Sequence, residues 1–339
     1  MIKVGIIGFG FMGRTHFSNY KTHDDVVITA ICDIEKDRLL GSTEVTGNIA
    51  GSDNQLDLSG IALYTDYKEM LKKSHLDAIS VTVPTYLHKE ITIKALRKGL
   101  NVMCEKPMAL SIPDCKKMIE AADKSGKILQ IGHCIRFWPG YDITKEIIES
   151  GTYGRVQAAT FQRLSLTPSW AWKNWILDGV KSGGASLDMH IHDSDFVHYL
   201  FGMPVSVRSF ANIGVSSDFD HIVTNYIYNH KAVITSEGGW MMAPGFGFEM
   251  SFNIVLEKAT IVFDITKNPS FKICKESGET VIPELKKGDG YSLEIDHFIK
   301  SVRGESVQKI TTPKQSINSL ALVLAEKSSA RKNKEIILK

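Results

Sequence analysis

Gly8-Phe9-Gly10-Phe11-Met12-Gly13 reads G-x-G-x-x-G and follows directly on the apolar run Ile2-Lys3-Val4-Gly5-Ile6-Ile7. Glycines at that spacing, between a strand and a helix, permit a tight turn and let the backbone approach a pyrophosphate at the helix N-terminus. Loop glycines alone are a weak signal, but the next run, 26–32 (VVITAIC), ends at Asp33, 20 residues beyond Gly13. A carboxylate there accepts hydrogen bonds from the adenosine ribose hydroxyls and repels a 2′-phosphate. Ile34 follows it, where an arginine would welcome that phosphate. This pattern predicts an NAD site, with NADP less favoured, built on Gly8, Phe9, Gly10, Phe11, Met12, Gly13 and Asp33. Arg38 is expected over the adenine, although a solvated helix arginine reads equally well.

A second constellation lies near the middle of the chain. Asp188, His192 and Asp195 are spaced i, i+4, i+7 within a helical pattern over 184–201, which puts them on one face. His190 points roughly the other way. Imidazole titrates near neutrality and suits proton transfer; a satisfied core histidine is the plain alternative. The run His190-Ile191-His192-Asp193 is not read as a metal site, because an H-x-H chelate needs a strand and this pattern is helical.

These groups need elements to hold them. Over the first ~130 residues, strand-like runs (2–7, 26–32, 78–83, 101–104, 128–131) alternate with helical patterns (from about Gly13, then 67–73, 86–98, 111–125). Ser111 can cap the last helix, Pro113 sits in its first turn and Gly126 follows it. Such alternation predicts an α/β doubly wound parallel sheet, a Rossmann domain over 1–133. Beyond it the segments are long and β-rich (155–165, 205–213, 221–228, 231–240, 248–256, 259–265, 271–274, 280–282). Helices are expected at 139–150, 184–201, about 291–303 and 314–332. The expectation for 134–339 is an α+β domain with a large, open, mixed or antiparallel sheet. Its apolar residues alternate over 222–228 and 249–256, and a face that large should not stay exposed.

At 339 residues the chain suits two domains of ~100–200 residues each. Its 40 Lys plus Arg against 38 Asp plus Glu leave a net charge of +2, which argues against a nucleic-acid partner. No apolar run approaches the ~18–20 residues that span a bilayer, so no membrane role is expected. The start reads as a strand, without the pattern of a signal peptide. Five cysteines with no C-x-x-C pair fit reduced thiols in the cytoplasm.

Three further segments complete a pattern: Pro84-Thr85-Tyr86-Leu87-His88, Glu105-Lys106-Pro107, and Gly183-Gly184-Ala185-Ser186-Leu187-Asp188 running on to His192 and Asp195. With the glycine loop, they resemble the Gfo/Idh/MocA oxidoreductases, the glucose–fructose oxidoreductase and inositol dehydrogenase family, over essentially the whole chain. The resemblance implies hydride transfer between NAD and a secondary alcohol or ketone of a sugar, sugar derivative or cyclitol. In that reading Lys106 and His192 handle the proton, and Asp188 orients the substrate and tunes His192. Asp195 supports its helix. Pro84, Thr85, His88, Glu105 and Lys106 join the cofactor site, with Glu105 and Pro107 holding a turn whose Lys106–Pro107 bond the resemblance implies is cis. Thr85 reads locally as a helix cap too. Arg136, Trp172, Lys173 and Tyr291 are expected on the substrate. Arg136 also reads as an ion-pair partner, and Trp170, Trp172 and Trp175 as a hydrophobic cluster. The resemblance further implies a homodimer or homotetramer through the C-terminal sheet. Two positions depart from the family pattern: Thr85 stands where Asn is frequent, and Ala185 where a third Gly is frequent. Other activities on this framework are an NAD-dependent glycosidase using transient oxidation and a non-catalytic NAD-binding regulator.

Overall fold

Apolar runs too short for buried helices, each followed by an amphipathic helix, build a parallel sheet in the first part of the chain. The computed structural model describes residues 1–40, 47 and 56–338. The elements run β1 (Ile2–Ile7), α1 (Phe11–Tyr20), β2 (Val26–Cys32), β3 (Ala62–Tyr64), α2 (Tyr67–Lys73), β4 (Ala78–Val81), α3 (Thr85–Arg97), β5 (Asn101–Glu105), α4 (Ile112–Ser125) and β6 (Leu129–Gly132). The strands lie in the order β3-β2-β1-β4-β5-β6, all parallel. β4 and β6 are buried throughout, as strands covered on both faces must be. α4 has the expected ends: Ser111 accepts from the Asp114 N–H, and Gly126 closes it at φ 64°. From β1 the chain builds outward to β2 and β3, then returns to add β4 on the other side. The point where strand order reverses, between β1 and β4, is where open α/β sheets bind ligands.

The rest comprises α5 (Tyr141–Ser150), β7 (Val156–Leu166), α6 (Gly179–Ser182), α7 (Gly184–Asp188), α8 (Ile191–Phe201), β8 (Ser206–Ile213), β9 (Phe219–Ile227), β10 (Val233–Met242), β11 (Phe248–Leu256), β12 (Ala259–Asp264), β13 (Phe271–Lys275), β14 (Thr280–Val281), α9 (Gly290–Val302), α10 (Pro313–Lys332) and β15 (Ile336–Ile337). Nine strands form one sheet, β14-β13-β12-β11-β7-β10-β9-β8-β15, antiparallel except for the parallel pair β7–β10. One face carries the core: Phe161, Phe252 and Phe263 of the sheet meet Tyr141 of α5 and Phe196 of α8, with Tyr141–Phe196 ring centroids 4.7 Å apart. The apolar alternation expected on an open face belongs to this covered one: Ile222 and Tyr226, and Met250, Phe252, Ile254 and Leu256, are buried. The opposite face presents Thr160, Asn225 and Asn253 between exposed Phe210, Ile227, Val233 and Val255.

The chain divides into two compact units, Met1–Cys134 with Trp170–Trp175 and Gly290–Ile317, and Ile135–Ser169 with Ile176–Asp289 and Asn318–Lys339. This differs from one cut at 133/134. α9 joins the first unit because Ile295, Phe298 and Ile299, spaced i, i+3, i+4, bury one stripe against Val4, Ile6, Phe17, Tyr20 and Met103. No described helix is long and apolar enough to cross a membrane.

Candidate active site

The glycine loop has a shape only glycine permits at two positions. Gly8 sits at φ 94°, and a Cβ there would stand 2.6 Å from the Thr82 carbonyl oxygen; a Cβ on Gly13 would stand 2.0 Å from that of Gly8. The backbone therefore turns tightly enough to offer the first turn of α1 to an anion. Phe9 and Asp33 tie loop to β2: the Phe9 N–H donates to Asp33 Oδ2 at 2.6 Å, and the Glu35 N–H donates to Asp33 Oδ1 at 2.8 Å. Asp33 is buried, and Arg38 Nη1 stands 3.5 Å from its Oδ2 and 3.4 Å from where a Gly10 Cβ would lie. A carboxylate has about four acceptor positions, so Asp33 keeps capacity for ribose hydroxyls after these contacts. The residues present therefore fit a dinucleotide: the α1 first turn for its phosphates, Asp33 for the ribose and Arg38 alongside. The Phe9 side chain is itself wholly buried and serves the core.

The Glu105-Lys106-Pro107 turn follows β5, beside the switch point, and its Lys106–Pro107 bond is cis. Lys106 is partly buried. Glu105 is buried. Its Oε1 accepts from His16 Nε2 at 3.0 Å, and its Oε2 receives the Lys106 N–H at 3.2 Å. A hydrogen-bonded chain stands behind it: the Tyr20 hydroxyl lies 2.8 Å from Ser80 Oγ, and Ser80 Oγ lies 2.9 Å from His16 Nδ1. Burial pushes the Glu105 carboxyl up, but the His16 hydrogen bond and the His16 and Lys106 charges outweigh it and hold the group below the usual range. Glu294 of α9 adds a second buried carboxyl; one ligating atom each of His16, Glu105 and Glu294 lie within 4.8 Å of one another. His16 and Glu294 escaped sequence reasoning. The available signal was the i, i+4 pair His16 and Tyr20 on the inward face of α1, polar residues where a core stripe belongs.

His88 also supports this turn. It is buried, with Nδ1 2.9 Å from the Pro107 carbonyl and Nε2 2.8 Å from that of Val83. Burial pushes its pKa down, against the pull of those two carbonyls. Pro84 takes the cap position of α3, and Thr85 is its first, buried residue, which removes the reading of Thr85 as a cap.

The helix expected over 184–201 is broken. α7 ends at Asp188, Met189 turns (φ −104°, ψ −53°) and α8 starts at Ile191. Asp188 and His192 are half-buried, whereas Asp193, Asp195 and His190 have no exposure. His190 Nε2 stands 3.1 Å from Glu326 Oε2, so it is a core histidine. Arg136 grips Asp195 with two bonds (Nε–Oδ2 2.8 Å, Nη2–Oδ1 2.7 Å), and Ser319 also donates to Asp195 at 2.5 Å. Arg163 grips Asp193 likewise (2.9 and 3.1 Å). The ion pair that Arg136 also suggested in sequence is present and anchors α8. His192 thus starts a helix pinned by two buried pairs.

In the aromatic loop, Trp172 Nε1 donates to Glu35 Oε1 at 2.7 Å, and Lys173 Nζ stands 3.5 Å from the same oxygen. Glu35 is two residues beyond Asp33, at the adenosine end. Tyr291 is half-buried in the first turn of α9.

Comparison with known proteins agrees with this architecture. Residues 2–133 match a family described as "Oxidoreductase family, NAD-binding Rossmann fold", and residues 141–262 match the "GFO/IDH/MocA C-terminal domain". The chain is 28% identical over 315 residues to a myo-inositol 2-dehydrogenase of Thermotoga maritima, covering 89% of this chain and 88% of that protein. It is 29% identical over 218 residues to a D-glucoside 3-dehydrogenase of Escherichia coli, covering 63% and 59%. Its fold is similar to that of the WlbA dehydrogenase of Bordetella pertussis, solved with NADH and UDP-GlcNAcA (TM-score 0.81, 24% identity, 100% and 99% coverage).

Proposed function

This chain belongs to the GFO/IDH/MocA oxidoreductase family, whose cofactor is NAD, and from that premise we propose that it oxidises a secondary alcohol of a sugar, sugar derivative or cyclitol, or reduces the matching ketone. When bound, NAD supplies the hydride acceptor. This chain's residues must then take the hydroxyl proton as the C–H bond breaks. Lys106 is the group assigned to that proton, and His192 its partner. The observation that carries this reading is the fixing of the Lys106 turn by Glu105, His16 and His88, beside the switch point and its glycine loop. Asp188 orients the substrate and His192. Tyr291 borders the substrate. The direct test is a panel of monosaccharides, sugar acids and cyclitols with NAD, read as nicotinamide reduction; reduction by none of them overturns the substrate class.

Cofactor choice follows from Asp33. Replacing Asp33→Ser together with Ile34→Arg removes a repulsion and adds a phosphate partner, so NADP should gain at least tenfold over NAD, roughly the effect of one charge-assisted contact. Competition binding of the two cofactors reads this; a wild type that prefers NADP contradicts the role given to Asp33.

Assembly is proposed through the open face of the nine-stranded sheet, as a homodimer or homotetramer. Phe210 and Val233, 55% and 64% exposed, with Ile227 and Val255, make that face more apolar than solvent favours. Light scattering at micromolar concentration should give a dimer or tetramer; a monomer refutes the assembly. The five free cysteines, four of them buried, support a cytoplasmic setting.

A further inference from the structure

Lys173 and Asn174 adopt left-handed backbone conformations, φ 47° and 52°. For a lysine that conformation is unfavourable, and two in succession persist only where outside contacts fix them. Here the contacts converge on one carboxylate. The Trp172 indole N–H donates to Glu35 Oε1 at 2.7 Å, Lys173 Nζ approaches the same oxygen at 3.5 Å, and Lys173 Nζ also stands 4.8 Å from the Trp172 ring centroid. Glu35 is in turn held at the dinucleotide site, since its N–H donates to Asp33 Oδ1 at 2.8 Å and Asp33 Oδ2 receives the phosphate-loop N–H of Phe9. Ribose carboxylate, phosphate loop and aromatic strap are thus joined by consecutive hydrogen bonds.

We infer that Trp172, Lys173 and Glu35 form a latch at the adenosine end of the dinucleotide site and set how long NAD stays bound. The inference rests on the NAD reading of Asp33 and the glycine loop. A charge-assisted bond between a half-buried indole and a carboxylate must open whenever the strap lifts, and the two left-handed residues give the strap a strained conformation to relax from. The latch touches no reacting atom; it acts on release.

The test is stopped-flow displacement of NADH, followed by its fluorescence, in the full chain. Trp172→Phe keeps an aromatic ring and removes only the N–H donor; Glu35→Ala removes the acceptor of both Trp172 and Lys173. Each should speed NADH dissociation about tenfold, the effect of one hydrogen bond to a charged group, with the association rate changed less than twofold. The double variant should be no faster than Glu35→Ala, because both changes break the same link. Dissociation rates within twofold of wild type in Trp172→Phe overturn the latch, whether or not Glu35→Ala folds. Rates that multiply in the double variant overturn the shared link. A wild type that binds no NADH fails the NAD reading instead.

Discussion

Lys106→Ala should lower kcat by roughly 10²–10⁴-fold, the range lost when a positioned acid or base is removed. The expected signature is selective. NADH binding should weaken only modestly, because the Lys106 turn borders the nicotinamide while the phosphate loop, Asp33 and Arg38 are untouched. His192→Ala should lose as much or somewhat less, since Lys106 still carries a proton, and Asp188→Asn less again, because it orients rather than transfers. Turnover and NADH fluorescence titration on the same preparations separate these effects. Full activity in both Lys106→Ala and His192→Ala contradicts the proton assignment. Loss of NADH binding in a folded His192→Ala protein would place α8 at the cofactor and overturn its substrate-side role.

Asp195→Asn should cost about 3–5 kcal/mol of stability, because it leaves the Arg136 guanidinium buried without its counter-charge. The pair is bidentate, neither side chain is more than 1% exposed, and Ser319 is bound to the same carboxylate. Equilibrium denaturation in urea measures it. Adding Arg136→Met should restore part of the loss, since removing both charges is milder than stranding one. An Asp195→Asn protein within 0.5 kcal/mol of wild type would show that the pair does not anchor α8.

Local chemistry made much of this legible in sequence. The glycine loop, the carboxylate ending β2 and the ends of α4 at Ser111 and Gly126 depend on residues adjacent in the chain, and the structure has each of them. What escaped depended on partners far along it. The 184–201 pattern reads as one helix because nothing local announces the break after Asp188 or the contact of His190 with Glu326 of α10. Arg136 has the same character in sequence whether it meets a ligand or Asp195. Trp172 and Lys173 reach back to Glu35, a contact no periodicity encodes. The alternation in β9 and β11 fixes two faces of a sheet but not which one is covered; that was decided by Tyr141 and Phe196 packing on it.

The central claim, hydride transfer from a carbinol carbon to NAD, is tested most directly with a sugar or cyclitol that the panel identifies, carrying deuterium on the reacting carbon. After reaction with unlabelled NAD, NMR should find the deuterium in the reduced nicotinamide, in one-to-one amount with a ketone product. Deuterium released to solvent, or returned to the sugar with no net reduced nicotinamide, would contradict a dehydrogenase and point to transient oxidation instead.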